Sequence, residues 1–198
     1  MRTTSYVAEN FLVMQAAVIF NLLIILFALI GLYFSYRKYS VQCFFFYTVL
    51  SNCIGLIAAV ILLLNIEGYE VIRFMATVML CFTFLVTAFV LVPLGGDFKE
   101  LMFGNSGLFH HTLVPILSLV SYLFFEKHHN SPWIPVIFTM FYGLLIYYLN
   151  YIRVIEGTYP FFKIHKIGIP KSVMWFFTLL FSVYVLANLI IFVAGKCS

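Results

Sequence analysis

Apolar residues run in about six long blocks along this chain, each bounded by a short polar break. The first extends from about Asn10 to Phe34 and stops at Tyr36-Arg37-Lys38. The second runs from about Ser40 to Leu64, the third from Phe74 to Leu94, the fourth from Gly107 to Phe125, the fifth from Pro132 to Tyr151 and the sixth from Lys171 to Ala194. Each holds about 19 to 25 residues, enough for a hydrocarbon core about 30 Å thick at 1.5 Å per helical residue. Pro93 with Gly95-Gly96 closes the third block, and Pro170 precedes the sixth, where a first-turn proline costs no hydrogen bond. The pattern predicts an all-α polytopic membrane protein, residues 1–198 forming one transmembrane domain. It is a bundle of about six transmembrane helices with an amphipathic interfacial segment before the last.

Composition strengthens this reading. The chain is 64% hydrophobic and 9% charged, with a mean hydropathy of +1.09. A soluble domain carries roughly 25% charged residues to cover its wet surface. The net charge of +4 comes from scattered Lys and Arg without a basic run, so no nucleic-acid partner is implied. Cys43, Cys53 and Cys81 lie within apolar blocks, without zinc or CxxC spacing, and read as buried small residues. The opening MRTTSYVAEN lacks the marks of a signal peptide, so the first span is expected to be retained. The odd loops carry Arg37, Lys38, Lys99, Arg153, Lys163, Lys166 and Lys171, seven cations, against Arg2, Arg73, Lys127 and Lys196, four, on the other side. That asymmetry favours odd loops in the cytoplasm and both termini outside. No charged side chain is expected deep in a span, which argues against ion-coupled transport.

Candidate chemistry sits where polar groups enter apolar blocks, because an unpaired polar group in lipid is costly. In Tyr47-Thr48-Val49-Leu50-Ser51-Asn52, Thr48 and Asn52 share a helix face that Gly55 continues. His110 and His111 open the fourth block, ahead of Thr112 and Pro115. On a regular helix they point about 100° apart, so only one is expected to face a given site, and no metal is implied. The second and fourth blocks begin on the same side of the membrane. A hydroxyl about 12 Å deep and an imidazole about 5 Å deep are expected to meet in a shallow cavity there. The imidazole would take the threonine proton, and Asn52 would donate to an oxyanion or orient the substrate. The fifth loop, from Ile152 to Pro170, mixes Tyr159-Pro160-Phe161-Phe162 with Lys163, His165 and Lys166. It reads as an amphipathic connector at the headgroup level or as a substrate lid.

Three stretches together resemble the androgen-induced gene 1 / androgen-dependent TFPI-regulating protein family and its short microbial, Pr6Pr-type relatives. They are Phe46-Tyr47-Thr48-Val49-Leu50-Ser51-Asn52, His110-His111-Thr112-Leu113-Val114-Pro115, and Gly157-Thr158-Tyr159-Pro160-Phe161-Phe162 followed by Ile167-Gly168. The resemblance implies an intramembrane threonine hydrolase of lipid esters, such as fatty acid esters of hydroxy fatty acids. Thr48 would be the nucleophile and His110 the best-matched acid–base group, with His111 the alternative that fits the microbial spacing; Ser51, Asn52 and Tyr159 would support them, with no cofactor. The implied partners are membrane lipids and a lipid-ester substrate. The host would be the inner membrane of a microbe, or the endoplasmic reticulum or plasma membrane of a eukaryote. The rival expectation is a non-enzymatic transporter, lipid-binding or assembly protein with the Thr48 face packed by a helix and no cavity. An acyl transferase using the same nucleophile is a third.

Overall fold

The computed structural model describes residues 2–129 and 131–197, with side chains from Leu12 onward, except for residue 130; the side chains of the opening MRTTSYVAEN lie outside the described residues. Helix makes up 84% of the chain, and no strand occurs among the described residues. The chain begins with α1 (Arg2–Tyr39), a 3-10 turn (Ser40–Phe45), α2 (Tyr47–Leu63) and α3 (Tyr69–Val86), which a π turn (Thr87–Leu91) prolongs. Two short helices follow, α4 (Phe98–Phe103) and α5 (Asn105–Gly107), and a second π turn (Leu108–Leu113) leads into α6 (Val114–Phe125). The chain then forms α7 (Trp133–Tyr151), a 3-10 turn (Pro160–Phe162), α8 (Ile164–Ile167) and α9 (Ile169–Cys197).

Leu12–Phe45, Tyr69–Leu91, Asn105–Phe125, Trp133–Tyr151 and Ile169–Cys197 are each long and apolar enough to cross a membrane, which makes this an all-α integral membrane protein. Their outer faces carry large apolar side chains such as Phe89 and Phe181, 71% and 66% exposed. Lipid accommodates such surfaces, whereas water does not.

The second expected span differs. Ser40 takes φ 52, residues Ser40–Phe45 wind as a 3-10 turn, and Phe46 is extended. Only 17 residues, Tyr47–Leu63, remain for α2, about 26 Å of helix. Thr48 is therefore the second residue of α2 and not eight residues into a span. The shortened helix brings it up to the level of the histidines. Gly55 receives α3, for a Cβ there would lie 3.0 Å from Leu80 Cδ1.

The far end of the bundle holds a charge pair that the sequence did not reveal. Arg73, expected in the second loop, lies in the second turn of α3; Glu126 follows α6, and both side chains are 0% exposed. Arg73 donates from Nε to Glu126 Oε2 and from Nη2 to Oε1, each at 2.8 Å. Asn21 of α1 and Ser121 of α6 also donate to Oε1. The pair lies at a helix end and not deep in a span, but it is fully buried, and one guanidinium and one carboxylate knit α1, α3 and α6 together. Burial pushes the Glu126 carboxyl up, but the Arg73 charge and the three donors outweigh it and leave it below its ordinary value. Its contribution to stability is present at neutral pH and is lost as pH falls through that lowered value.

Removing one partner leaves the other charge buried and uncompensated. Glu126→Ala is expected to cost about 3–5 kcal/mol of stability, and Arg73→Met with Glu126→Leu to recover most of it. Thermal unfolding in detergent checks this; a single variant no less stable than the double would contradict it.

Candidate active site

The two π turns shape the site. Val114 N–H donates to Phe109 O, five residues back, so the segment bearing His110 and His111 winds more widely than an α-helix. Pro115 brings no N–H to the next rung, which in this register would belong to His110 O. Asn52 Nδ2 supplies the missing donor from α2, 3.4 Å from His110 O, and also donates to Thr48 O at 2.8 Å. The Asn52 amide nitrogen is thus spent on joining α2 to the π turn, and Asn52 does not line the cavity. The oxyanion role expected of it does not fit this placement. Ser51 also faces helices, donating to Thr48 O at 2.9 Å and lying 3.1 Å from Thr83 Oγ1 of α3.

Thr48, His110, His111 and Tyr159 all line one cavity of about 900 Å³ at this end of the bundle. A regular helix predicts that only one of the adjacent histidines faces the site; both line the cavity, in a segment wound as a π turn. Arg37, Lys38 and Glu100 stand at its polar edge, where Lys38 Nζ lies 3.5 Å from Glu100 Oε1. Of the Thr48 face that a plain scaffold would pack, Asn52 and Gly55 are packed against neighbouring segments, and Thr48, 8% exposed, borders the cavity.

The two imidazoles differ. His110 is 2% exposed. Its Nε2 lies 3.0 Å from Ser35 Oγ of α1, and its ring rests on Gly31, where an added Cβ would stand 2.8 Å from Cε1. His111 is half-buried, and its ring forms no hydrogen bond among the described residues. His110 is therefore clamped to α1, while His111 is uncommitted. Ser35 and Gly31 escaped sequence reasoning; small residues at i and i+4 in a span mark close helix approach and are the signal that could have found them.

The fifth loop folds back into the bundle. Phe161, Phe162 and Ile164 are buried while His165 and Lys166 face outward, so the segment is amphipathic with its apolar side turned into the protein. Asn150, buried at the end of α7, anchors it. Its Nδ2 donates to Ile155 O at 2.9 Å, its Oδ1 accepts from Ile164 N–H at 3.0 Å, and its carbonyl accepts from His165 Nε2 at 3.0 Å. Ser172 Oγ of α9 donates to Phe161 O at 3.1 Å. Gly157, at φ 84, turns the chain where a Cβ would strike Phe162 O at 2.8 Å. These ties place Tyr159 stacked on Phe161, with Oη 3.3 Å from both Thr48 Oγ1 and Thr48 N. Removal from solvent raises the Tyr159 phenol, so it is a neutral donor at physiological pH. The expected Thr48–imidazole hydrogen bond is not formed; Tyr159 occupies that hydroxyl.

Among the described residues, no group of three or more His, Cys, Asp or Glu is placed to hold a metal ion. The chain matches no protein-family model, no curated protein and no solved structure.

Gly31→Ala is expected to displace the His110 ring and cost about 1–3 kcal/mol, the usual penalty for overpacking. Thermal unfolding measures it, and an unchanged midpoint would show that the α1–His110 contact is loose.

Proposed function

We propose that this protein is an intramembrane hydrolase of lipid esters with Thr48 as nucleophile. The observation that carries the reading is the shared cavity: Thr48 of α2 and two histidines of the π turn line one hollow. In this reading α2 is a thin sixth span, the odd loops and the cavity face the cytoplasm, and the substrate is drawn from membrane lipid. The three stretches that resemble the androgen-induced gene 1 family supply these same side chains and support the same chemistry.

The geometry favours His111 over His110 as acid–base group, because the ring of His110 is held by Ser35 and Gly31 while that of His111 is uncommitted. Thr48 Oγ attacks the ester carbonyl and its proton passes to His111, since a threonine hydroxyl is too weak a nucleophile unaided. The tetrahedral oxyanion needs donors. The amide N–H of Thr48 lies in the first turn of α2, where no intrahelical acceptor exists. Tyr159 Oη sits 3.3 Å from both that amide and the nucleophile, which marks where a carbonyl oxygen would lodge after a small withdrawal of the ring. Thr48 N–H and Tyr159 O–H then bind the oxyanion together. Collapse breaks the ester C–O bond, and His111 returns its proton to the departing alcohol. Water then loses a proton to His111 and attacks the acyl-threonine; the acyl C–Oγ bond breaks, His111 passes that proton to Thr48 Oγ, and the carboxylic acid is freed.

Thr48→Ala is expected to abolish hydrolysis of a lipid-ester panel by the purified protein. Tyr159→Phe is expected to lower kcat about 10²-fold, the worth of one oxyanion donor. His111→Ala is expected to cost more activity than His110→Ala. Full activity in Thr48→Ala would remove the nucleophile, and the reverse order of the histidine variants would move the base to His110.

A further inference from the structure

Thr48 and Tyr159 line a second space as well. This narrow slot of about 40 Å³ lies between α2, α3, α7 and α9 and shares Thr48, Leu91 and Tyr159 with the 900 Å³ cavity. Its walls include Phe82, Val86, Phe162, Phe176, Leu179 and Leu180. Thr83 Oγ1 and Thr139 Oγ1, hydroxyls at its edge, already have partners. The first donates to Met79 O at 2.9 Å, and the second lies 2.8 Å from Tyr47 Oη. Thr87 and Tyr142 also line it, so its wall is mainly but not wholly apolar, and an alkyl chain would find more to pack against than a polar ligand would find to bind. The slot has room for about three or four atoms of water or methylene size.

We propose that this slot is the acyl site of the esterase and that it sets a short-chain preference, with acyl groups of about four to six carbons. The inference rests on the ester-hydrolase reading above and adds which end of the substrate goes where. With the carbonyl at the Thr48–Tyr159 junction, the two sides of the ester must leave in different directions. The acyl carbons enter the narrow slot, and the alcohol portion, whatever its bulk, lies in the wide cavity. Phe176 governs the slot's depth. It packs so closely over Gly143 of α7 that a Cβ there would stand 2.5 Å from its ring. The ring has no room to retreat toward α7, so a longer chain meets it as a wall.

The test uses the full-length protein in nanodiscs and p-nitrophenyl esters with acyl chains of 2 to 16 carbons. The parent is expected to peak in kcat/KM at about four to six acyl carbons and to fall at least about tenfold by twelve. Phe176→Ala, which opens the slot, moves the peak to longer chains by several carbons. Leu180→Phe, which narrows it, moves the peak to acetate and keeps the proposal testable if the alanine variant does not fold. A parent that prefers chains of twelve carbons or more, or the same profile in both folded variants, overturns the acyl slot and leaves the hydrolase standing. No hydrolysis at any chain length overturns both.

Discussion

The contact between Tyr159 and Thr48 decides what this end of the bundle is. Two hydroxyls and one backbone amide meet at 3.3 Å where α2 begins. One partner comes from a helix start and the other from a loop more than a hundred residues later. Without the loop, the first-turn amides of α2 would face the cavity unpaired, and in lipid that is expensive. With it, the loop packs onto the bundle and sets a phenol beside a threonine that lines both the wide cavity and the slot. The same contact rests the site in a satisfied state and leaves a ready position for a carbonyl oxygen.

That contact is possible because other polar groups hold the frame. Asn150 fixes the loop to α7, and Asn52 answers the hydrogen bond that Pro115 leaves open. Ser35 engages His110, and at the opposite end Arg73 and Glu126 tie three helices together. Each is a polar group surrounded by apolar neighbours, and each has its partner inside the protein. The bundle is assembled from such pairings as much as from the packing of Phe74, Met79 and Val183 in its core.

Much of this was legible in the sequence. The apolar blocks, dense enough to exclude a soluble fold, coincide with five long apolar helices, four of them within about five residues at each end, while α1, from Arg2 to Tyr39, runs well past both ends of the first block. Thr48, His110, His111 and Tyr159 were all found as polar or amphipathic residues in the wrong solvent, and one cavity collects them. What hydropathy hid has physical causes. A 3-10 turn is as apolar as the helix it interrupts, so the late start of α2 at Tyr47 left no mark in the composition. A π turn differs from an α-helix only in register, so the wider winding at His110 and His111 left no mark in their spacing. Arg73 read as a loop cation because its partner Glu126 lies 53 residues away, and only folding brings them together.

The central claim is that Thr48 carries the acyl group. Mass spectrometry after rapid acid quenching of the enzyme with a lipid ester tests it most directly, since an acyl-enzyme adds the acyl mass to one peptide. The account predicts that mass on the peptide containing Thr48, with fragmentation placing it on residue 48. An adduct on Ser35 or another side chain, or brisk hydrolysis with Thr48 never acylated, would contradict it.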